Sequence, residues 1–282
     1  MTRIVHLSDL HFGLHRGDLV GALLDRINHA RADLVVVTGD LTHRGRPGQF
    51  RQAAGFLARI NAPVMAVPGN HDVPLYNIPL RFAWPFAGFS EAIGADLAPT
   101  RAAGTVRVLG LNSTDPFSWQ RGVIRRGEID RLIGGIDPLA TNILALHHPL
   151  QQLPAIDKEL ATRAPEALRR LGAAGLHVVL SGHLHLWDCG GLLACGHPGV
   201  LQIQAGTALC SRLGDRQNEF AVLDFAGTGL TVERHVAPMA QEGFQPPERL
   251  HFRRGGGVWQ ALDQGPPVPM LPGATDTAFR TA

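Results

Sequence analysis

The chain has 282 residues, 45% of them hydrophobic and 18% charged, enough for one large core with or without a small accessory region. A formal net charge of only +2 argues against a nucleic-acid or anionic-membrane partner. The three scattered cysteines, Cys189, Cys195 and Cys210, exclude a disulfide framework or zinc ribbon and fit a reducing compartment. The sequence shows no signal peptide and no apolar run long enough to span a bilayer, so a cytoplasmic location is expected.

In chain order, residues 3–8 read as a strand closed by Asp9-Leu10-His11. Asp9 and His11 lie two apart, and in extended backbone they project to the same side, the pattern of a metal half-site. An Asp turn followed by a surface His is the competing reading of this pair. Residues 18–30 carry apolar groups at helical spacing. Residues 32–38 form a continuous apolar run, as in a strand covered on both faces, ending in Gly39-Asp40. Asp40 is a second carboxylate at a strand end. His43 and Arg44 in the next loop read as solvated loop residues that could also reach a substrate. A helix is expected over 49–60.

Residues 62–67 read as a buried strand, followed by Pro68-Gly69-Asn70-His71-Asp72. An amide, an imidazole and a carboxylate stand in three consecutive positions at the C-terminal end of a strand, where open α/β sheets place their chemistry. Residues 74–99 hold Tyr76, Phe82, Trp84, Phe86 and Phe89 among prolines and glycines. They read as a loop with short helical pieces beside the site, acting either as core cover or as a lid over the substrate's leaving group. Strands at 105–111, 142–146 and 175–180 follow. The last two end in His147-His148-Pro149 and in Gly182-His183-Leu184-His185. Strands at 200–204, 219–224 and 230–236, with little helix between them, predict an antiparallel half. Residues 1–237 thus form the folded domain. Residues 238–282, rich in Pro and Gly (Gly255-Gly256-Gly257, Gly265-Pro266-Pro267), read as an extended or partly disordered tail.

Asp9-Leu10-His11, Gly39-Asp40, Gly69-Asn70-His71-Asp72, His147-His148-Pro149 and Gly182-His183-Leu184-His185 resemble the five signature motifs of the calcineurin-like metallophosphoesterases. The resemblance extends over residues 1–236, and it is specific through order and spacing jointly. It implies an α/β fold, a four-layer α/β/β/α sandwich of two mixed sheets with the metal site at the C-terminal edge of the strands. It also implies two divalent metal ions, with Asp9, His11, Asp40 and His185 holding one and Asp40, Asn70, His147 and His183 the other. His147 is preferred over His148 because the family's ligand usually sits two residues before the proline. Mixed N/O donors without thiolate suit Mn, Fe or Zn.

In this reading a metal-activated water attacks the phosphorus. His71 is the catalytic general acid and Asp72 orients its imidazole. The sequence context looks most like the bacterial cyclic-nucleotide and glycerophosphodiester phosphodiesterase branch, so a small-molecule phosphodiester is the expected substrate. The alternatives are a phosphomonoesterase or a nucleotide-sugar or lipid pyrophosphatase. A nuclease ranks behind these because no basic stripe is present. A non-catalytic scaffold ranks last because every motif residue is retained. The sequence does not fix an oligomeric state.

Overall fold

The computed structural model describes residues 1–151, 158–190 and 196–262. In chain order the elements are β1 (Thr2–Leu7), α1 (Val20–Ala30), β2 (Leu34–Thr38), α2 (Pro47–Leu57), β3 (Val64–Val67), a 3-10 turn (Asn70–Asp72), α3 (Ile78–Ala83) and α4 (Ala87–Ala92). There follow β4 (Thr100–Ala103), β5 (Val106–Leu111), α5 (Arg126–Gly135), β6 (Thr141–Leu146), α6 (Ala164–Ala174), β7 (Val178–Ser181), β8 (Asp188–Cys189) and β9 (Leu201–Gln204). The chain closes with β10 (Gln217–Ala226), β11 (Gly229–Pro238), β12 (Glu248–Gly255) and β13 (Val258–Ala261).

Local sequence explains the main elements. β2 is Leu-Val-Val-Val-Thr, every residue buried, because apolar matter covers both faces of the sheet. α1 turns Leu23, Leu24 and Ile27 toward the sheet and stops at Arg31, which adopts a left-handed conformation (φ 50°). α2 opens with Pro47, whose fixed φ suits a first helical turn.

Two mixed sheets result. The first has seven strands in the order β13-β12-β11-β10-β1-β2-β3, and the second has six in the order β4-β5-β6-β7-β9-β8. β1, β2 and β3 run parallel, as do β5, β6, β7 and β9. The sheets face each other across Ile4, Val36, Met65, Val108, Ile143, Leu180 and Ile203. α1 and α2 cover the outer face of the first sheet through Leu23, Ile27, Phe50 and Phe56. α5 and α6 cover the second through Ile129, Leu132, Leu168 and Leu171. Each fully buried aliphatic side chain contributes about 1.5–3 kcal/mol, so these three cores are the dominant favourable term. This is the expected four-layer α/β/β/α sandwich. No helix among the described residues is long and apolar enough to cross a membrane.

Two expectations change. β9 pairs antiparallel with the two-residue β8 but parallel with β7, so it joins the second sheet, and the continuous antiparallel run starts at β10. Residues beyond Pro238, read as an extended or partly disordered tail, include the β12–β13 hairpin, which extends the first sheet. Phe252 and Trp259 enter the inter-sheet core, and the Trp259 indole N–H donates to the His177 carbonyl (2.8 Å). Apolar side chains spaced among arginines carry the hairpin, and glycines at the turn masked it in the sequence. Gly265-Pro266-Pro267 and Cys195 lie outside the described residues.

Candidate metal centre

The loops leaving the parallel strands converge. Asp9 and His11 follow β1, Asp40 follows β2, Asn70 and His71 follow β3, His147 follows β6, and His183 and His185 follow β7. Five of these residues hold a left-handed backbone although none is glycine: Asp9 (φ 53°), His11 (48°), Asp40 (53°), His183 (73°) and His185 (55°). Each such conformation costs on the order of 1–3 kcal/mol, and it persists where surrounding packing imposes it. Glycines give the loops room. A Cβ on Gly182 would stand 1.8 Å from Ser8 Oγ and 2.5 Å from Asp9 Oδ2, and one on Gly69 would stand 2.2 Å from Asp40 Oδ1.

The extended-backbone argument for the Asp9/His11 and His183/His185 pairs therefore does not hold, because all four residues are left-handed. Asp9 and His11 still meet, with Oδ1 and Nε2 3.5 Å apart. His183 and His185 diverge: His183 Nδ1 lies 3.3 Å from His147 Nε2, whereas His185 Nε2 lies 3.2 Å from Asp9 Oδ1.

Two donor groups share one oxygen. Asp40 Oδ2 lies 3.6 Å from His11 Nε2 on one side and 3.3 Å from His147 Nε2 on the other. The His11 side continues to Asp9 and to His185, whose Nε2 is 3.0 Å from His11 Nε2. The His147 side continues to Asn70 Oδ1 at 3.1 Å and to His183. All seven residues expected to ligate metal are thus brought together.

Each carboxylate is held by one oxygen and offers the other. Asp9 Oδ2 accepts from Ser8 Oγ (2.6 Å) and His183 N–H (3.0 Å), while its buried Oδ1 has no aligned hydrogen-bond partner among the described residues and faces the Nε2 atoms of His11 and His185. Asp40 Oδ1 accepts from His71 N–H (2.8 Å), leaving Oδ2 inward. The rings are fixed in the same way. His147 Nδ1 donates to the Thr38 carbonyl (2.8 Å), which leaves the Nε2 lone pair facing Asp40. His185 Nδ1 contacts the Asp215 carboxylate (3.1 and 3.2 Å), the carboxylate–imidazole arrangement that orients metal-binding histidines. His148 instead spends both nitrogens, Nδ1 with Ser113 Oγ (2.8 Å) and Nε2 with the Gln120 carbonyl (3.0 Å).

The charges interlock. Burial works against the Asp9 carboxylate, but His185 and His11 outweigh it and hold the group well below the usual carboxylate range. Burial likewise opposes the His185 cation, yet Asp9 and Asp215 carry it up to about 9. A buried oxygen without a partner and two imidazole nitrogens nose to nose are left poorly satisfied by protons alone. A donor set of carboxylate, amide and imidazole fits divalent cations.

His71 stands at the edge of this cluster, its ring 4.9 Å from that of His11. Its Nδ1 donates to the His43 carbonyl (2.7 Å), and its Nε2 faces Arg212 Nη2 at 3.5 Å. Burial pushes its imidazole down to about 4. Asp72 does not orient it. The Asp72 carboxylate accepts from the backbone of Leu41 (3.2 Å), Thr42 (2.8 Å) and Gly69 (3.0 Å) and from Thr42 Oγ1 (3.0 Å). In a 3-10 turn the side chain points back at the turn's own start, so Asp72 ties the β2 loop to the β3 loop. The His43 carbonyl, not Asp72, holds the His71 ring at Nδ1.

Sequence reasoning missed Asp215, Arg212 and Cys210. A ligand atom of Cys210 lies within 4.8 Å of those of His11 and His185. All three sit in the loop between β9 and β10, well past the end of β9, where no strand-end motif marks them. The aromatic segment divides: Phe89 is core, whereas Tyr76, Phe82 and Trp84 are exposed.

A four-layer sandwich with a carboxylate–histidine cluster at the C-terminal edge of its parallel strands defines a metal-site α/β class. The family model for calcineurin-like phosphoesterases matches residues 2–186, and the chain belongs to that family. Among curated proteins it is similar to a cAMP/cGMP dual specificity phosphodiesterase of Mycobacterium tuberculosis, 30% identical over 208 residues. That match covers 64% of this chain and 61% of the mycobacterial protein, so the chain spans about three-fifths of that relative. A probable cyclic nucleotide phosphodiesterase of Vesicomyosocius okutanii is 25% identical, with 64% of this chain and 78% of the relative covered. Among solved structures, purple acid phosphatase PPD1 of yellow lupin superposes with a TM-score of 0.64 at 14% identity, covering 88% of this chain and 53% of that one. Vps29 of Chaetomium thermophilum gives 0.52 at 13% identity, covering 90% and 98%. The solved structures speak to the fold alone.

Proposed function

We propose that this protein is a dinuclear-metal phosphodiesterase acting on a small molecule, with a cyclic nucleotide as the first candidate. The observation that carries the reading is Asp40 Oδ2, set between His11 Nε2 (3.6 Å) and His147 Nε2 (3.3 Å), where one carboxylate oxygen can serve two cations. Asp9, His11, Asp40 and His185 would hold one Mn, Fe or Zn ion, and Asp40, Asn70, His147 and His183 the other. When bound, such a pair supplies an acidified water and neutralises phosphate oxygens.

The chain's own residues supply the rest. Asn70 contributes a neutral oxygen, which keeps the site cationic enough for an anionic ester. His71, pinned at Nδ1 by the His43 carbonyl, turns Nε2 to the substrate side, where it exchanges a proton with the leaving oxygen. Burial holds its imidazole down to about 4, so Nε2 is unprotonated in the free protein and has to take up a proton, which a neighbouring anionic ester favours, before it can donate one. Arg212, next to the same nitrogen, faces the incoming charge. The catalytic unit is residues 1–237 with the β12–β13 hairpin as part of its sheet. The scattered cysteines support a cytoplasmic location.

A similarity to glycerophosphodiester phosphodiesterase GpdQ of Enterobacter lignolyticus, 32% identical over 80 residues and covering 24% of this chain, keeps glycerophosphodiesters as the second substrate class. A metal-reconstituted screen tests both readings side by side: cyclic nucleotides, glycerophosphodiesters, phosphomonoesters and nucleoside diphosphate derivatives. Turnover confined to diesters is expected. Absence of turnover on every substrate with metal loaded would overturn the enzymatic reading.

A further inference from the structure

Beside Asn70 and His71 a pocket opens between His43, Arg44, Leu75 and Trp119. Trp119 belongs to the loop after β5, and its ring is exposed (57%) although it stands at the edge of the site. The loop is not slack. The Trp119 carbonyl accepts from Asn70 Nδ2 (3.2 Å), which fixes the indole relative to the metal-facing amide.

Arg81 supports it from below. This arginine is 3% exposed, and the one carboxylate acting on it among the described residues, Asp115, does so through space rather than by a hydrogen bond. Its guanidinium donates instead to three carbonyls, Pro116 (2.7 Å), Ser118 (2.8 Å) and Pro74 (3.3 Å). It thereby clamps the Trp119 loop to the segment leading into α3. The guanidinium carbon stands 4.5 Å from the Trp119 ring centroid and covers one face of the indole. More than half of the residue's surface remains exposed (57%). Across the pocket Arg44 lies over the Tyr76 ring at 5.0 Å and donates through Nη1 to the Tyr76 hydroxyl, while its buried Nε has no hydrogen-bond partner among the described residues.

A buried arginine committed to backbone carbonyls is a costly way to hold a loop. It is explained if the loop's ring has to be rigid, and a rigid open indole beside an underused guanidinium suits a ligand both planar and anionic. The geometry points to Trp119, backed by Arg81, as a stacking platform for the base of a nucleoside phosphate, and so as a specificity-determining residue of the site. This rests on the phosphodiesterase reading and extends it from the phosphate to the base.

The test is calorimetric binding of adenosine 5′-monophosphate and of ribose 5-phosphate to the full chain with manganese, for the wild type, Trp119→Ala and Trp119→Phe. Base stacking on an aromatic ring predicts that the wild type prefers the nucleotide by roughly tenfold or more. Trp119→Ala should erase most of that preference while leaving ribose 5-phosphate binding in place, and Trp119→Phe should restore much of it. Thermal melts of the variants establish that they fold, and truncating an exposed ring that donates no hydrogen bond among the described residues should leave the melting temperature close to wild type. Equal binding of the two probes by the wild type, undetectable binding of the nucleotide, or an undiminished preference in Trp119→Ala would overturn the platform. Base preference without hydrolysis in the substrate screen would uphold the platform and sink the phosphodiesterase reading. Hydrolysis without base preference would do the reverse.

Discussion

His11 and His185 face each other through Nε2 at 3.0 Å, in a space closed off by the Asp9 and Asp40 carboxylates. Two imidazole nitrogens settle at that distance only around a shared proton or a cation. The cation predicts a measurable stoichiometry. Protein reconstituted with manganese or zinc should carry about two ions per chain by elemental analysis. Asp40→Asn, which alters the shared oxygen, should lower occupancy of both sites, and His185→Ala should mainly empty one. Metal should also raise the melting temperature of the wild type more than that of Asp40→Asn.

His71 and Asp72 are neighbours with separable consequences. His71→Asn should reduce turnover of diesters with poor leaving groups far more than that of p-nitrophenyl esters, because the latter leave without protonation. Equal losses on both would remove the proton-donor role. Asp72→Ala leaves three buried backbone N–H groups without an acceptor and should destabilise the fold by roughly 3 kcal/mol or more. Denaturant titration of both variants distinguishes the two effects.

Gly182 abuts Ser8 and Asp9 so closely that even one methyl group must displace them. Gly182→Ala should cost on the order of 1–3 kcal/mol in stability. It should also weaken metal binding on the Asp9 side selectively, as read by metal titration. A variant with wild-type stability and affinity would show that the loop yields more than this packing implies.

Acid should destabilise the metal-free protein through its buried neutral histidines. Burial pushes His6 and His148 each down to about 3, whereas in an unfolded chain they titrate near 6.5. Between those values the unfolded state binds more protons, so stability present above about pH 6.5 is lost as the pH falls toward 3. Urea midpoints across that range should decline with acidification. A flat profile would mean that these rings are not held neutral.

The β12–β13 hairpin should matter to the whole fold. Trp259→Ala removes a buried indole from between the sheets and should cost about 3–5 kcal/mol. Chemical denaturation checks this, and a negligible loss would make the hairpin an appendage.

The five motifs were legible because each occupies a strand end and combines residue types that rarely occur together. Their order along the chain therefore carried the sandwich and all seven inward-facing donors. The route by which the side chains converge was not legible. Period-two alternation assumes extended backbone, and Asp9, His11, His183 and His185 are left-handed. The role of Asp72 was hidden for a related reason: adjacency in sequence suggested that it backs His71, while the 3-10 turn sends its carboxylate to Leu41, Thr42 and Gly69. α5 and α6 carry none of the strand-end motifs, so nothing in that pattern marks them. Asp215 and Arg212 reach the site across long sequence separations from a loop without a motif.

The two sheets contribute to the cluster in nearly equal measure, Asp9, His11, Asp40 and Asn70 from the first and His147, His183 and His185 from the second. Cations seated there would act as rivets through both halves of the sandwich. Loading them would couple the halves mechanically, so that slow amide exchange should spread together into β2 and β6, whose packing across the core through Val36, Ile143 and Ala145 the ions would reinforce at that edge.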